Sequence, residues 1–248
     1  MATGRLKRTM GQAPAVASAA KDSHTPRLPD PAERIAAIAT ELFIRNGYHG
    51  VSYLGIGKAL GMRHSNIHYY YRTKAALAEA VLRRVAQETV AATAVIWAAP
   101  ATSFAEKFVA MRDWYYAAYL RFNPDGTGGR PWNLLSRFSM EADALTPDMR
   151  QTIRATMRRL EDDIRAAITM AIERKELAAD APVEGMILQI ACVIYQSGQL
   201  TRDARGFARV DELLRWTLFG LQRAYGGRPV AALKWPACPD PPQAQSAA

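Results

Sequence analysis

Between Ser52 and Leu77 the chain reads SYLGIGKALGMRHSNIHYYYRTKAAL, and this stretch leaves few folds open. After Ser52, apolar side chains fall at Tyr53, Ile56 and Leu60, the i, i+3, i+7 spacing of one helical face. Ser52 suits the N-cap position, because its hydroxyl can accept a bond from an otherwise orphaned backbone N–H. Gly61 takes a left-handed backbone at little cost, so the chain can turn after Leu60 and begin a second helix within about three or four residues. A turn that short fixes the angle at which the two helices cross.

The second helix, over Arg63 to Tyr70, turns Ile67 and one or two tyrosines inward and leaves Arg63, His64, Ser65, Asn66 and His68 outward. A face made only for solvation would carry more Glu and Lys. Arg, Asn, Ser and His instead match the donors and acceptors that meet base edges and phosphates, with Asn on adenine and Arg on guanine the common direct pairs.

At this point the segment resembles the DNA-binding domain of the tetracycline-repressor (TetR) family. That pattern runs from a Ser or Thr cap through an Ile-Ala pair, a Gly turn and a short recognition helix to a Tyr-x-Tyr-Phe-x-Ser/Thr-Lys close. Here the elements are Ser52, Ile56-Gly57, Gly61, Arg63 to Ile67, then His68-Tyr69-Tyr70-Tyr71-Arg72-Thr73-Lys74, with Leu77 opening the next helical face. A preceding helix over Ala32 to Asn46, with Ile35, Ile38, Ala39, Leu42 and Phe43 on one face, ends at Asn46-Gly47-Tyr48 as the family's first helix does. Gly57 and Leu60 both stand where the family usually has Ala, Ala75 where an acidic residue is common, Arg63 where a Ser or Thr often opens the recognition helix, and His68 where the first Tyr stands. Gly57 is expected to loosen its helix by roughly 0.5–1 kcal/mol relative to Ala, and Arg63 and His68 imply an operator of this chain's own.

Carried over by position, the resemblance implies that Ser52 holds its helix against the DNA backbone and that Tyr70 and Lys74 contact phosphates. Lys74 is expected to be helped by the helix terminus it opens. Arg63, His64, Ser65, Asn66 and Tyr69 would read or straddle base edges, and Tyr71 is expected to be a packing residue.

Charge agrees with a polyanionic partner. The formal net charge is +9, and residues 1–80 hold eleven Lys and Arg against five Asp and Glu. Residues 1–29 are rich in Ala, Pro, Thr and Ser and cannot bury enough to order themselves, so a disordered basic arm is expected. Their run GQAPAVASAA is too short, too Ala-rich and too broken by Gln12 and Pro14 for a secretion signal. With no stretch approaching a membrane span, a cytoplasmic protein is expected. Cys192 and Cys238 offer neither metal spacing nor a disulfide framework, and Cys192 reads as a small core residue.

The remaining chain reads as helix throughout, with no period-two alternation to argue for a sheet. A long helix should run from Lys74 to about Trp97, and another should open on Thr102 or Ser103. Asn123 to Gly129 is a break, Pro131 should start a helix reaching about Ala142, and Thr146-Pro147 should start one of about thirty residues. The expected fold is therefore all-α, with about nine helices: a three-helix helix-turn-helix domain over residues 30–78, a regulatory and dimerisation domain over 79–225, and a flexible Pro-rich tail over 226–248, where Trp235 is the one candidate to dock.

In the last two helices the resemblance implies a four-helix interface with a second copy, through Ile187, Ile190, Ile194, Leu214, Leu218 and Leu221. Burial of the same residues inside one chain is the alternative. Trp114, Tyr115, Tyr119, Trp132, Arg137 and Phe138 concentrate aromatic surface suited to an amphipathic small-molecule effector, although such rings also make ordinary core. The chain as a whole thus reads as a dimeric repressor released from a palindromic double-stranded DNA operator by an effector. An activator on the same fold and a ligand-independent architectural DNA-binding protein share these features.

Enzymatic chemistry has little to stand on. His64 and His68 have the i, i+4 spacing of a zinc pair, but the segment lacks the glutamate that would serve as general base and a third ligand. No nucleophile elbow, P-loop or dinucleotide fingerprint is present, and the Gly126 to Gly129 loop follows a helix where phosphate cradling needs a strand. No cofactor is expected.

Overall fold

Capping side chains set most of the helix boundaries. In a computed structural model that describes residues 30–227 and 235–241, Asp30 caps α1 (Pro31–Asn46), Ser52 caps α2 (Tyr53–Leu60) and Arg63 precedes α3 (His64–Tyr70). Thr73 caps α4 (Lys74–Ala98), and Ser103 opens α5 (Phe104–Leu120) through a reciprocal capping box with Glu106. Asn133 caps α6 (Leu134–Ser139), which a single 3-10 turn (Ala142–Ala144) follows. Thr146 with Pro147 opens α7 (Pro147–Glu173), and α8 (Val183–Ala204) and α9 (Ala208–Tyr225) complete the described helices. The fold is all-α, and among the described residues only two isolated β-bridges depart from helix and loop.

One expectation on helix extent and one on the tail are corrected. The helix expected from Pro131 to Ala142 starts only at Leu134, because the Trp132 indole donates to Thr201 Oγ1 of α8 at 2.8 Å and holds the preceding chain extended. Part of the tail is also seated: the Trp235 indole donates to Asp211 on α9 at 2.9 Å, and the Arg112 guanidinium of α5 lies 5.1 Å from the Trp235 ring centre. Arg112 is almost fully buried and is neutralised by Asp113 and Asp211, as a buried guanidinium requires. Burial and the Asp211 carboxylate push the Cys238 thiol up to about 11. The basic arm expected over 1–29 lies outside the described residues.

A continuous core runs through the described helices. Ile35, Ala39 and Phe43 of α1, Ile56 of α2, Ile67 of α3 and Leu77 of α4 are wholly buried and close a three-helix unit around α4's first turns. α4 then packs along α7 and carries the core to Trp97, which meets Phe108 of α5 edge to face at 5.7 Å. Each fully buried side chain of this size contributes about 1.5–3 kcal/mol. α4 is thus the rigid element shared by both halves.

Candidate nucleic-acid interface and regulatory cavity

Helix α3 is built to be seen. Ile67 is its one buried residue, and it anchors the helix against the unit beneath. His64, Ser65, Asn66, His68, Tyr69 and Tyr70 all face outward, with Tyr69 83% exposed, and Arg63 sits outward at the N-cap without using its side chain as a cap. A seven-residue helix that buries one side chain presents nearly its whole surface to whatever docks there.

The two helices meet at a close turn. Gly61 has φ 65°, and the Met62 N–H donates to the Gly57 carbonyl at 2.9 Å. A Cβ on Gly57 would lie 2.6 Å from the Met62 carbonyl oxygen, so glycine here permits the approach of the turn where alanine would obstruct it. The departure at 57 therefore has a packing purpose. The Tyr53 hydroxyl donates to the Tyr71 carbonyl at 2.7 Å and ties α2 to the end of α3; its burial, with Tyr48 and Tyr71 nearby, pushes its pKa up to about 12. Tyr71 packs against the core and donates to the Ala32 carbonyl at 3.4 Å. His68 rests edge to face on Tyr53, and its ring centre lies 6.4 Å from that of His64. Among the described residues no group of three or more His, Cys, Asp or Glu could hold a metal ion.

Ser52 accepts the Gly55 N–H at 3.2 Å as the N-cap of α2 and remains exposed. Lys74, the first residue of α4, is partly buried; its ammonium donates to the Tyr48 carbonyl at 3.1 Å and lies 4.5 Å from the Tyr48 ring centre. Tyr48 in turn donates its backbone N–H to Glu141 Oε2 at 2.7 Å, and Glu141 pairs with Arg137 at 3.1 Å. Two residues from α6 and the turn after it therefore close onto the turn that follows α1. The sequence carried no sign of this contact, because the partners are 93 residues apart.

A cavity of about 860 Å³ opens beside this junction. Trp114, Tyr115 and Trp132 line it, as expected, together with Ile44 and Thr40 of α1, Thr89 and Thr93 of α4, Thr156 of α7 and Gln199 of α8. Three residues expected there do not line it. Tyr119 is buried with its hydroxyl on the Gly128 carbonyl at 2.7 Å, Phe138 packs on the Phe43 ring at 5.5 Å, and Arg137 is engaged with Glu141. The threonines on the inward stripes of α4 and α7 were the missed signal: Thr93 and Thr156 are buried polar groups amid apolar positions. Burial pushes the Tyr115 phenol strongly up, and its hydroxyl donates to the Ile194 carbonyl at 3.4 Å. Gln199 Nε2 donates to the Asp203 carboxylate at 3.1 Å, while its Oε1 is buried without a partner among the described residues.

The residues expected to meet a second copy do not face outward. Ile187, Ile190, Ile194, Leu214, Leu218 and Leu221 are each no more than 4% exposed within the single chain, so they fill its own core. Their neighbours point out instead: Leu188 of α8, and Leu213, Trp216 and Phe219 of α9, with Trp216 58% exposed. Cys192, expected in the core, lies on this exposed side of α8. No helix among the described residues is long and apolar enough to cross a membrane.

A bare recognition helix on a three-helix unit, joined by one long helix to a cavity-bearing helical domain, defines a helix-turn-helix regulator. Known proteins agree. Residues 35–81 match the family described as bacterial regulatory proteins, tetR family, and residues 134–214 match the tetracyclin repressor-like C-terminal domain. The chain belongs to the TetR family, and with that membership comes DNA-binding regulation of transcription. Among solved structures it is similar to a TetR-family regulator from Agrobacterium tumefaciens, with 20% identity and a TM-score of 0.68 over 77% of this chain and 96% of that one. It is also similar to a TetR regulator from Chloroflexus aurantiacus, with 20% identity and a TM-score of 0.66 over 79% and 96%. Against reduced NemR of E. coli the figures are 18% and 0.64 over 80% and 98%. At these identities the likeness is one of fold. No curated protein sequence matches the chain.

Proposed function

We propose that two copies of the chain bind a palindromic operator as a repressor and release it when a small molecule enters the cavity. The observation that carries this reading is α3, seven residues with only Ile67 committed to the core. Arg63, His64, Ser65, Asn66 and Tyr69 supply donors and acceptors for base edges, while Ser52, Tyr70 and Lys74 meet phosphates on either side. Dimerisation runs through the outward stripe of Leu188, Leu213, Trp216 and Phe219, whose exposure supports an apolar contact between copies. A two-fold axis between the copies sets the recognition helices about one DNA turn apart, ~34–36 Å.

The effector is an amphipathic molecule with an aromatic or flat apolar part for Trp114, Tyr115 and Trp132, and a polar group for Thr40 and Thr89. It acts through its difference in affinity for the two states: moving the population from 1:99 to 99:1 takes ~5.5 kcal/mol. The walls of the cavity favour such coupling, because they include α1 and α4 as well as the regulatory helices.

Competition binding at moderate salt tests the reading. A repressor keeps a preference of at least ~10³ for its operator over unrelated duplexes. Equal affinity for both would leave an architectural DNA-binding protein as the better account.

A further inference from the structure

The contact between Glu141 and Tyr48 has a use beyond joining two domains. Gly47 has φ 73°, a backbone that disfavours any side chain, and a Cβ there would fall inside the Glu141 carboxylate and 2.7 Å from Arg137 Nη2. The turn is therefore shaped to admit this ion pair. Glu141 is mostly buried and spends one oxygen on Arg137 and the other on the Tyr48 N–H. With its N–H so held, Tyr48 offers its carbonyl and its ring face to one ammonium, that of Lys74. An ammonium carries three donors, and the carbonyl takes one of them.

The other end of the clamp reaches the cavity. Leu134, Leu135, Ser136 and Ser139 of α6 line it, and Phe138 of the same helix packs edge to face on Phe43 and Tyr48. A ligand that displaces α6 displaces Glu141, and with it the seat of Lys74.

We infer that Glu141 is a positioning residue for DNA binding, holding Tyr48 so that the Lys74 ammonium is fixed toward the phosphate backbone, and that this clamp is a direct route from the cavity to the DNA-facing end. The inference rests on the reading of Lys74 as a phosphate contact. It is tested with the full chain and a duplex selected from a random pool by the wild-type protein, measuring Kd across a salt series. Glu141→Ala is expected to weaken binding about tenfold and to flatten the slope of log K against log salt by ~0.9 for each phosphate no longer neutralised, as Lys74→Ala does. The double variant should bind like Lys74→Ala alone, because both changes remove one interaction. Glu141→Gln keeps an acceptor for the Tyr48 N–H and should restore binding to within about threefold of wild type.

Wild-type binding with an unchanged slope for Glu141→Ala, or losses that add in the double variant, would overturn the inference while leaving the repressor reading intact. Failure of the wild-type chain to select any duplex would overturn the repressor reading and the inference with it. If Glu141→Ala does not melt cooperatively, Glu141→Leu, which fills the space but offers the Tyr48 N–H no acceptor, is read by the same slope: a flatter slope supports the clamp, and an unchanged one overturns it.

Discussion

Glu141 accepts the backbone N–H of Tyr48 at 2.7 Å across 93 residues of sequence, and Gly47 beside it has the positive φ that makes room for the carboxylate. Gly47→Ala should therefore cost about 1–3 kcal/mol from backbone strain alone, and more from displacing the ion pair. Thermal unfolding of the two proteins checks the stability, and faster hydrogen exchange at the Tyr48 amide checks the displaced bond. An unchanged melting temperature would mean that the turn is less constrained than its geometry indicates.

The division between phosphate and base contacts can be read from a small set of variants. Lys74→Ala should weaken binding to every duplex alike. Asn66→Ala and Arg63→Ala should each lose about 1–3 kcal/mol on the preferred site and change which base is preferred at one position. Binding to a panel of single-base operator variants makes the comparison. Equal losses across the panel for all three would contradict the roles given to Asn66 and Arg63.

The outward and inward stripes of α8 and α9 separate assembly from stability. Trp216→Glu places two charges near a two-fold axis and should weaken the dimer by at least about 2 kcal/mol, or ~30-fold. Leu218→Ala, wholly buried in its own chain, should instead cost about 2–5 kcal/mol of folding stability without changing the dimer constant. Sedimentation equilibrium with parallel denaturant melts distinguishes the two. A monomer with intact stability from Leu218→Ala would restore the inward set as the interface.

Asp163 makes a prediction on pH. Its side chain is nearly buried, with one oxygen on Arg159 at 3.2 Å and the other unpartnered, and burial raises its pKa above the usual carboxylate value. The folded state thus holds this proton more tightly than the unfolded state. Its contribution to stability is present below the unfolded value near ~4 and is lost as pH rises through the raised folded value. Asp163→Asn should accordingly raise the melting temperature at pH 7, by no more than ~4 °C for a chain this size, and the gain should shrink toward pH 4. A loss of stability at pH 7 would show that the Arg159 pair outweighs the buried charge.

What could be read from the sequence was what neighbouring residues decide. Ser52, Ser103 and Thr146 announced their helices because a cap acts within three or four residues, and Gly61 announced the turn for the same reason. The exposed face of α3 was legible in its polar residues and in Ile67 as an anchor, but the one or two tyrosines expected inward are not: Tyr69 and Tyr70 both face out. The orientation of α8 was not: it is apolar nearly all round, so Ile187 and Leu188 compete equally for the core until α7 and α9 are in place. Arg137 was placed among the aromatic residues it follows in sequence, yet its partner is the carboxylate one turn on and, through it, Tyr48. Distant pairings of this kind leave no periodicity to detect.

Selection from a random duplex pool by the full-length chain, followed by the mass of the complex on the winning sequence, is the decisive measurement of paired operator recognition. Enrichment of a palindrome is expected, its half-sites centred about one DNA turn apart, ~34–36 Å, and bound by two recognition helices related by a two-fold axis. A pool that stays random after selection, or a single chain bound to an asymmetric site, would contradict it.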